Sequence, residues 1–122
     1  VNASIIIDTK TARGIPILSF VGRLDEQSCI PVCKDIFAFC QKNKEFSGLI
    51  FDFLKLLSLN SDSISEIVKI NRHLSRKNKS IVIISPNPSV LEILEMLGVG
   101  RKIPIFSHLE QAKGYFFDEV YG

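Results

Sequence analysis

The chain has 122 residues, 46% of them hydrophobic, and a formal net charge of +2. That size and composition suffice for one hydrophobic core and leave no need for a second domain or a metal staple. The small, well-mixed charge does not point to nucleic acid, no apolar run nears the roughly 18 residues of a membrane span, and no secretory signal pattern opens the chain.

Two β-rich runs come first, Ser4–Lys10 and Ile15–Val21, joined by Thr11-Ala12-Arg13-Gly14. A short turn ending in glycine between such runs predicts a hairpin. Asp25 is placed to cap a helix over Glu26–Asn43, with Cys33, Ile36, Phe37 and Cys40 as its apolar residues. Pro31 suits that helix only within its first turn, or if the helix proper starts there. Gly48–Phe53 is a continuous apolar strand of the kind buried on both faces. The next helix is predicted over Ser63–Arg76, with Ser63 as N-cap because Ser63-x-x-Glu66 has capping-box spacing. Ile64, Ile67, Val68 and Leu74 form its stripe, which Asn71 interrupts. Arg72, His73, Arg76 and Lys77 crowd its end, where the helix dipole favours cations.

Ser80–Ile84 is a second buried strand, closed by Ser85-Pro86-Asn87-Pro88. Ser89-x-x-Glu92 predicts the cap of a third helix that reaches Leu97 and stops at Gly98. A last strand, Ile103–Phe106, precedes a helix that begins at Ser107-x-x-Glu110 and ends near Tyr121. Strands joined through helices run parallel by right-handed connections. The prediction is a single α/β domain over residues 1–122: a mostly parallel sheet of five strands with an antiparallel N-terminal hairpin and four helices.

Three cysteines, Cys29, Cys33 and Cys40, are an odd number, and with no secretory signal they predict reduced thiols in a cytoplasmic protein. They lie near one helical face without the histidines or acids of a zinc site, so they read as buried small apolar side chains. The sequons Asn2-Ala3-Ser4 and Asn78-Lys79-Ser80 read as chance matches. Gly98-Val99-Gly100-Arg101-Lys102 lacks the spacing of a phosphate loop and precedes a strand. The basic group Arg72–Lys79 reads as a solvated helix end, with an acidic partner as the alternative. Nothing argues for an enzyme, a metal or a cofactor.

Functional loops in such sheets follow the carboxyl ends of the strands. The polar cluster Asn60-Ser61-Asp62-Ser63 stands at such an end, where a helix start offers free backbone N–H donors. Ser61 is there either as a regulated site or as part of turn and cap chemistry. A phosphate on it would gain about 0.3–1 kcal/mol from the helix dipole. Repulsion from Asp62, at a separation of about 6 Å, would cost about 0.7 kcal/mol in water and about 3 kcal/mol at an effective dielectric near 20.

These elements together resemble the bacterial anti-sigma factor antagonists and the wider STAS domain family. Gly22-Arg23-Leu24-Asp25 is similar to that family's Gly-x-Leu/Ile-Asp motif. Leu49-Ile50-Phe51-Asp52-Phe53 resembles its central strand, with Asp52 at the acidic position. Asn60-Ser61-Asp62-Ser63-Ile64 falls where the family has Asp-Ser-Ser-Gly-Leu, and Leu97-Gly98-Val99, Ile103-x-Ile105-Phe106 and Ala112 match its closing pattern. The likeness covers residues 14–116. It implies a protein that binds a serine-kinase anti-sigma factor, or a related signalling protein, and is switched off when that kinase phosphorylates Ser61. A phosphatase is the implied further partner, with no direct contact to nucleic acid or membrane. The implied docking residues are Arg23, Leu24, Asp25, Asn60, Asp62, Ser63 and Ile64. The chain has Asn60 for the family's Asp, Asp62 for its second Ser and Ser63 for its Gly. These departures motivate the alternative of a scaffold, or a small-ligand or nucleotide sensor, without a phospho-switch.

Overall fold

The computed structural model describes residues 4–12 and 14–117. Arg13 of the predicted turn, the first two residues of the first sequon and the predicted helix end near Tyr121 lie outside them. Strands β1 (Ser4–Ala12) and β2 (Ile15–Leu24) form the predicted antiparallel hairpin. Helix α1 (Glu26–Lys42), strand β3 (Gly48–Leu59), helix α2 (Ser61–Ser75) and strand β4 (Ser80–Ile84) follow. Helix α3 (Pro88–Met96), a 3-10 turn at Val99–Arg101, strand β5 (Ile105–Phe106) and helix α4 (Leu109–Phe117) complete the described chain. This is a single small α/β domain, and its sheet order is β1-β2-β3-β4-β5, antiparallel at the first pair and parallel elsewhere.

A sheet that grows in one direction through right-handed crossovers puts every crossover helix on the same face. The larger core accordingly joins α1, α2 and α3 to Phe20, Leu49, Phe51 and Phe53 of the sheet. Phe20 anchors it, with ring centroids 5.0 Å from Phe51 and 5.1 Å from Phe53. The opposite face, bearing Ile15, Ile17, Ile50, Val82 and Ile84, is covered by α4 through Ala112, Leu109 and Phe116.

Several predicted boundaries shift, each for a local reason. Strand β3 continues six residues past Phe53. Pro31 lies inside α1, beyond its first turn, on an exposed side where the helix tolerates one missing hydrogen bond. On α1 the buried residues are Ser28, Cys29, Val32, Cys33, Ile36 and Phe39, while Phe37 is exposed and Cys40 half-buried. Helix α3 is capped by Asn87, not Ser89: its Oδ1 accepts from the Val90 N–H at 2.8 Å, and Pro88 takes the first-turn position that needs no N–H. The last strand is only Ile105–Phe106, although Ile103 is fully buried ahead of it. Helix α4 begins at Leu109, where Gln111 Oε1 accepts from the N–H groups of Ser107 and His108.

Gly48 opens β3 directly beneath α4. A Cβ there would meet the Phe116 ring and lie 2.6 Å from the Ser80 carbonyl oxygen. The carbonyl belongs to a paired strand and cannot retreat. Gly48→Ala is expected to lose about 2 kcal/mol of stability, seen as a lower urea midpoint at unchanged slope.

Candidate functional site

Two strand-to-helix junctions lie side by side at the carboxyl ends of β2 and β3. The final register pair of those strands is Leu24 with Leu59, so the next residues, Asp25 and Asn60, are adjacent helix N-caps. The two caps are built alike. Asp25 Oδ1 accepts from the N–H of Gln27 and of Ser28, each at 2.9 Å, while Ser28 Oγ accepts from the Asp25 N–H at 2.9 Å. Asn60 Oδ1 accepts from the Ser63 N–H at 3.0 Å, and Ser63 Oγ accepts from the Asn60 N–H at 3.0 Å. Each is a reciprocal capping box that satisfies donors at the start of its helix.

The prediction of Ser63 as N-cap of α2 is therefore corrected. Asn60 is the cap, the helix begins at Ser61, and Ser63 closes the box from the third helical position. Glu66 is not its partner; it pairs with Lys69 at 3.1 Å.

The two serines also grip the end of β2. Ser28 Oγ reaches the Arg23 carbonyl at 2.9 Å and Ser63 Oγ reaches the Leu24 carbonyl at 3.1 Å. The Arg23–Asp25 loop is thereby tied to both helices. Sequence reasoning passed over Ser28, although Asp25-x-x-Ser28 has the box spacing.

All eight residues predicted for this site meet at these junctions. Arg23, Asp25, Ser61 and Asp62 are exposed, and Asn60 is half-buried. Leu24, Ser63 and Ile64 are buried, so they hold the surface from beneath. Ser61 is the first residue of α2. Its side chain has no hydrogen-bond partner among the described residues, and neither do the Ser61 and Asp62 N–H groups. Cap chemistry alone therefore does not account for the Ser61 hydroxyl, because Asn60 and Ser63 do the capping.

The face is acidic. Hydrogen bonds from Ser28, first its N–H and then its hydroxyl, hold the Asp25 carboxyl below its ordinary value of 3.8. Burial, then the nearby carboxylates of Glu66, Asp25 and Asp62, push the Cys29 thiol up. Burial likewise raises Cys33 to about 11, so neither thiol supplies a thiolate near neutrality. A depressed carboxyl stabilises the fold at pH values above its unfolded value, and that contribution is lost as pH falls through the folded value. Below pH 3.8, then, the stability difference between the wild type and Asp25→Asn is expected to shrink, which paired urea titrations at pH 6 and pH 2 would measure.

Asp52 performs a different task. Its Oδ1 accepts from the Leu54 N–H at 3.0 Å, where β3 first slips one residue against β2. It thus satisfies a donor that the bulge takes out of the ladder. At the second slip stands Gly22, with φ of +97°, a conformation that favours glycine. A groove of about 400 Å³ starts at Ser61 and runs between α2 and Leu97–Lys102, with Ile64, Val68 and Val99 in its lining and Arg72 at its side. Asn71 Nδ2 reaches the Lys102 carbonyl at 3.4 Å, which explains the polar interruption of the helix stripe.

The family model of the STAS domain matches residues 7–112. No curated protein matches the sequence. A Thermotoga maritima protein described as a candidate anti-sigma factor antagonist superposes with a TM-score of 0.80 at 19% identity, over 97% of this chain and 95% of that one. The anti-sigma factor antagonist SpoIIAA of Bacillus superposes in its unphosphorylated form with a TM-score of 0.75 at 16% identity, over 93% and 96%. Its phosphorylated form gives 0.66 at 17% identity, over 96% and 99%. The murine anion transporter Slc26a9 matches at 0.74 and 14% identity, over 98% of this chain but 22% of its own. At these identities the likeness is one of fold.

Proposed function

The chain belongs to the STAS domain family, and from that premise we propose that it is a non-catalytic bacterial regulator of transcription, of the anti-sigma factor antagonist type. In this reading it works in the cytoplasm and binds a serine-kinase anti-sigma factor through Arg23, Asp25, Asn60, Ser61 and Asp62. Phosphorylation of Ser61 by that kinase releases it, and a phosphatase restores binding. The observation that carries the reading is the free Ser61 hydroxyl at the first turn of α2, beside a loop fixed by two capping boxes. A dianion at that position changes the docking surface by repulsion and desolvation without disturbing any bond of the fold.

The test is incubation with the cognate kinase and ATP, followed by mapping of the phosphate by mass spectrometry. Phosphate on Ser61 is expected. Phosphate confined to other residues, or none, would remove the switch and leave the fold assignment intact. The match to a domain of the larger transporter favours a second reading, a STAS scaffold without a phospho-switch. Equal partner affinity for Ser61→Ala and Ser61→Asp would select it.

A further inference from the structure

The opposite end of α2 carries a cleft that the docking reading does not use. It is about 600 Å³ in volume and lies between the last turns of α1 and α2. That volume is in the range of small-molecule sites, roughly 300–1,000 Å³. Phe37 and Cys40 line it from α1, His73 and Leu74 from α2, and Lys44, Lys77 and Lys79 from the adjoining loops. No carboxylate is among its lining residues.

Part of the basic group that reads in the sequence as a solvated helix end, His73, Lys77 and Lys79, thus lines a concavity together with Lys44. One of its lysines is held in place. Lys79 Nζ donates to the Lys44 carbonyl at 2.9 Å and stands 4.0 Å from the centre of the Phe46 ring. Lys44 and Lys77 are exposed, and their side chains have no hydrogen-bond or ion-pair partner among the described residues. An apolar wall comes from Phe37, whose ring meets the His73 ring edge-on at 5.6 Å, and from Leu74. Half-buried Cys40 senses the field: burial pushes its thiol up, while Lys79 and then Lys77 pull it back down.

We propose that this cleft binds a small anionic ligand, one with a phosphate or several carboxylates on a ring-sized apolar body. The anion would pair with Lys44 and Lys77, and the body would rest on Phe37, His73 and Leu74. Charge-assisted bonds to unpaired lysines supply affinity for the anion, and the apolar wall discriminates against bare inorganic ions. The cleft is at the far end of α2 from Ser61, so the proposal stands apart from the phospho-switch.

1-Naphthyl phosphate serves as the probe, with 1-naphthol and inorganic phosphate as its two halves. Backbone amide NMR titration of the full chain is expected to show saturable shifts at Phe37, Cys40, His73 and Lys77 with the probe, and much weaker ones with either half. The probe should also slow alkylation of Cys40 by iodoacetamide. Lys77→Glu and Lys44→Glu, both at exposed positions that leave the core untouched, should each weaken binding about tenfold or more. Shifts scattered over all surface lysines, equal response to inorganic phosphate, or unchanged binding by both variants would overturn the proposal.

Discussion

Replacing both Ser28 and Ser63 with alanine is expected to cost about 4 kcal/mol of stability. Neither side chain is large, so the loss is not one of volume. Each hydroxyl accepts from the backbone N–H of its helix cap and has two acceptors for its single proton, the end of β2 or the cap residue itself, Asp25 Oδ1 for Ser28 and the Asn60 carbonyl for Ser63. Ser63 is fully buried and Ser28 nearly so, so water cannot replace the missing partner. A buried donor or acceptor left without a partner costs about 1–3 kcal/mol. The double variant should show a much lower urea midpoint, and each single variant about half the effect. A second readout separates this from general weakening: with Ser28 gone, the Asp25 carboxyl loses one cause of its depression and should titrate closer to 3.8. If the Asp25 titration stays in place while stability falls, the Ser28 hydroxyl is not what holds the Asp25 carboxyl.

The fold was legible because its apolar runs are regular. Gly48–Phe53 and Ser80–Ile84 read as buried strands since both of their faces are covered, one by α1–α3 and the other by α4. The six residues after Phe53 were not legible. Strand β3 slips twice against β2, so its apolar side chains fall at positions 53, 54, 56, 57 and 59 instead of alternating. Phe53, Leu56 and Leu59 are buried, while Leu54 and Leu57 are exposed. A period-two search has no signal in such a segment. The extension matters for the candidate site, because it carries Asn60 up to the level of Asp25.

At the site itself, the residues that meet were legible and their division of labour was not. Ser63-x-x-Glu66 and Asn60-x-x-Ser63 compete as capping frames, and local spacing does not rank them. Beside its local 2.8 Å bond to the Asn60 carbonyl, Ser63 Oγ makes a tertiary bond to the Leu24 carbonyl, 39 positions away in the chain, and this favours the second frame. That bond buries Ser63 and leaves Ser61 outside. The basic run Arg72–Lys79 was ambiguous for the same reason. Whether lysines surround a cleft depends on Phe37 and Lys44, which belong to another helix and its following loop.

Phosphorylation of Ser61 is expected to weaken partner binding by at least about 100-fold while changing folding stability by less than about 1 kcal/mol. The small effect on folding follows from the exposure of Ser61 and the lack of any side-chain bond to break. Its neighbours shape the rest. The N–H groups of Ser61 and Asp62 attract the new phosphate, and the Asp62 carboxylate repels it by a comparable amount. The phosphate is therefore not drawn onto the helix end and projects towards a docked partner, where it must be desolvated at the interface. Ser61→Ala should bind as the wild type does, and Ser61→Asp, with one charge on a shorter arm, should lose only about tenfold. Asp62→Asn supplies the decisive contrast. If Asp62 keeps the phosphate turned outward, its removal lets the helix N–H groups capture part of that charge. The penalty of phosphorylation, measured as the ratio of partner Kd values with and without phosphate, should then shrink. An unchanged or larger ratio would show that Asp62 does not direct the phosphate, and that the switch works through the partner's surface alone.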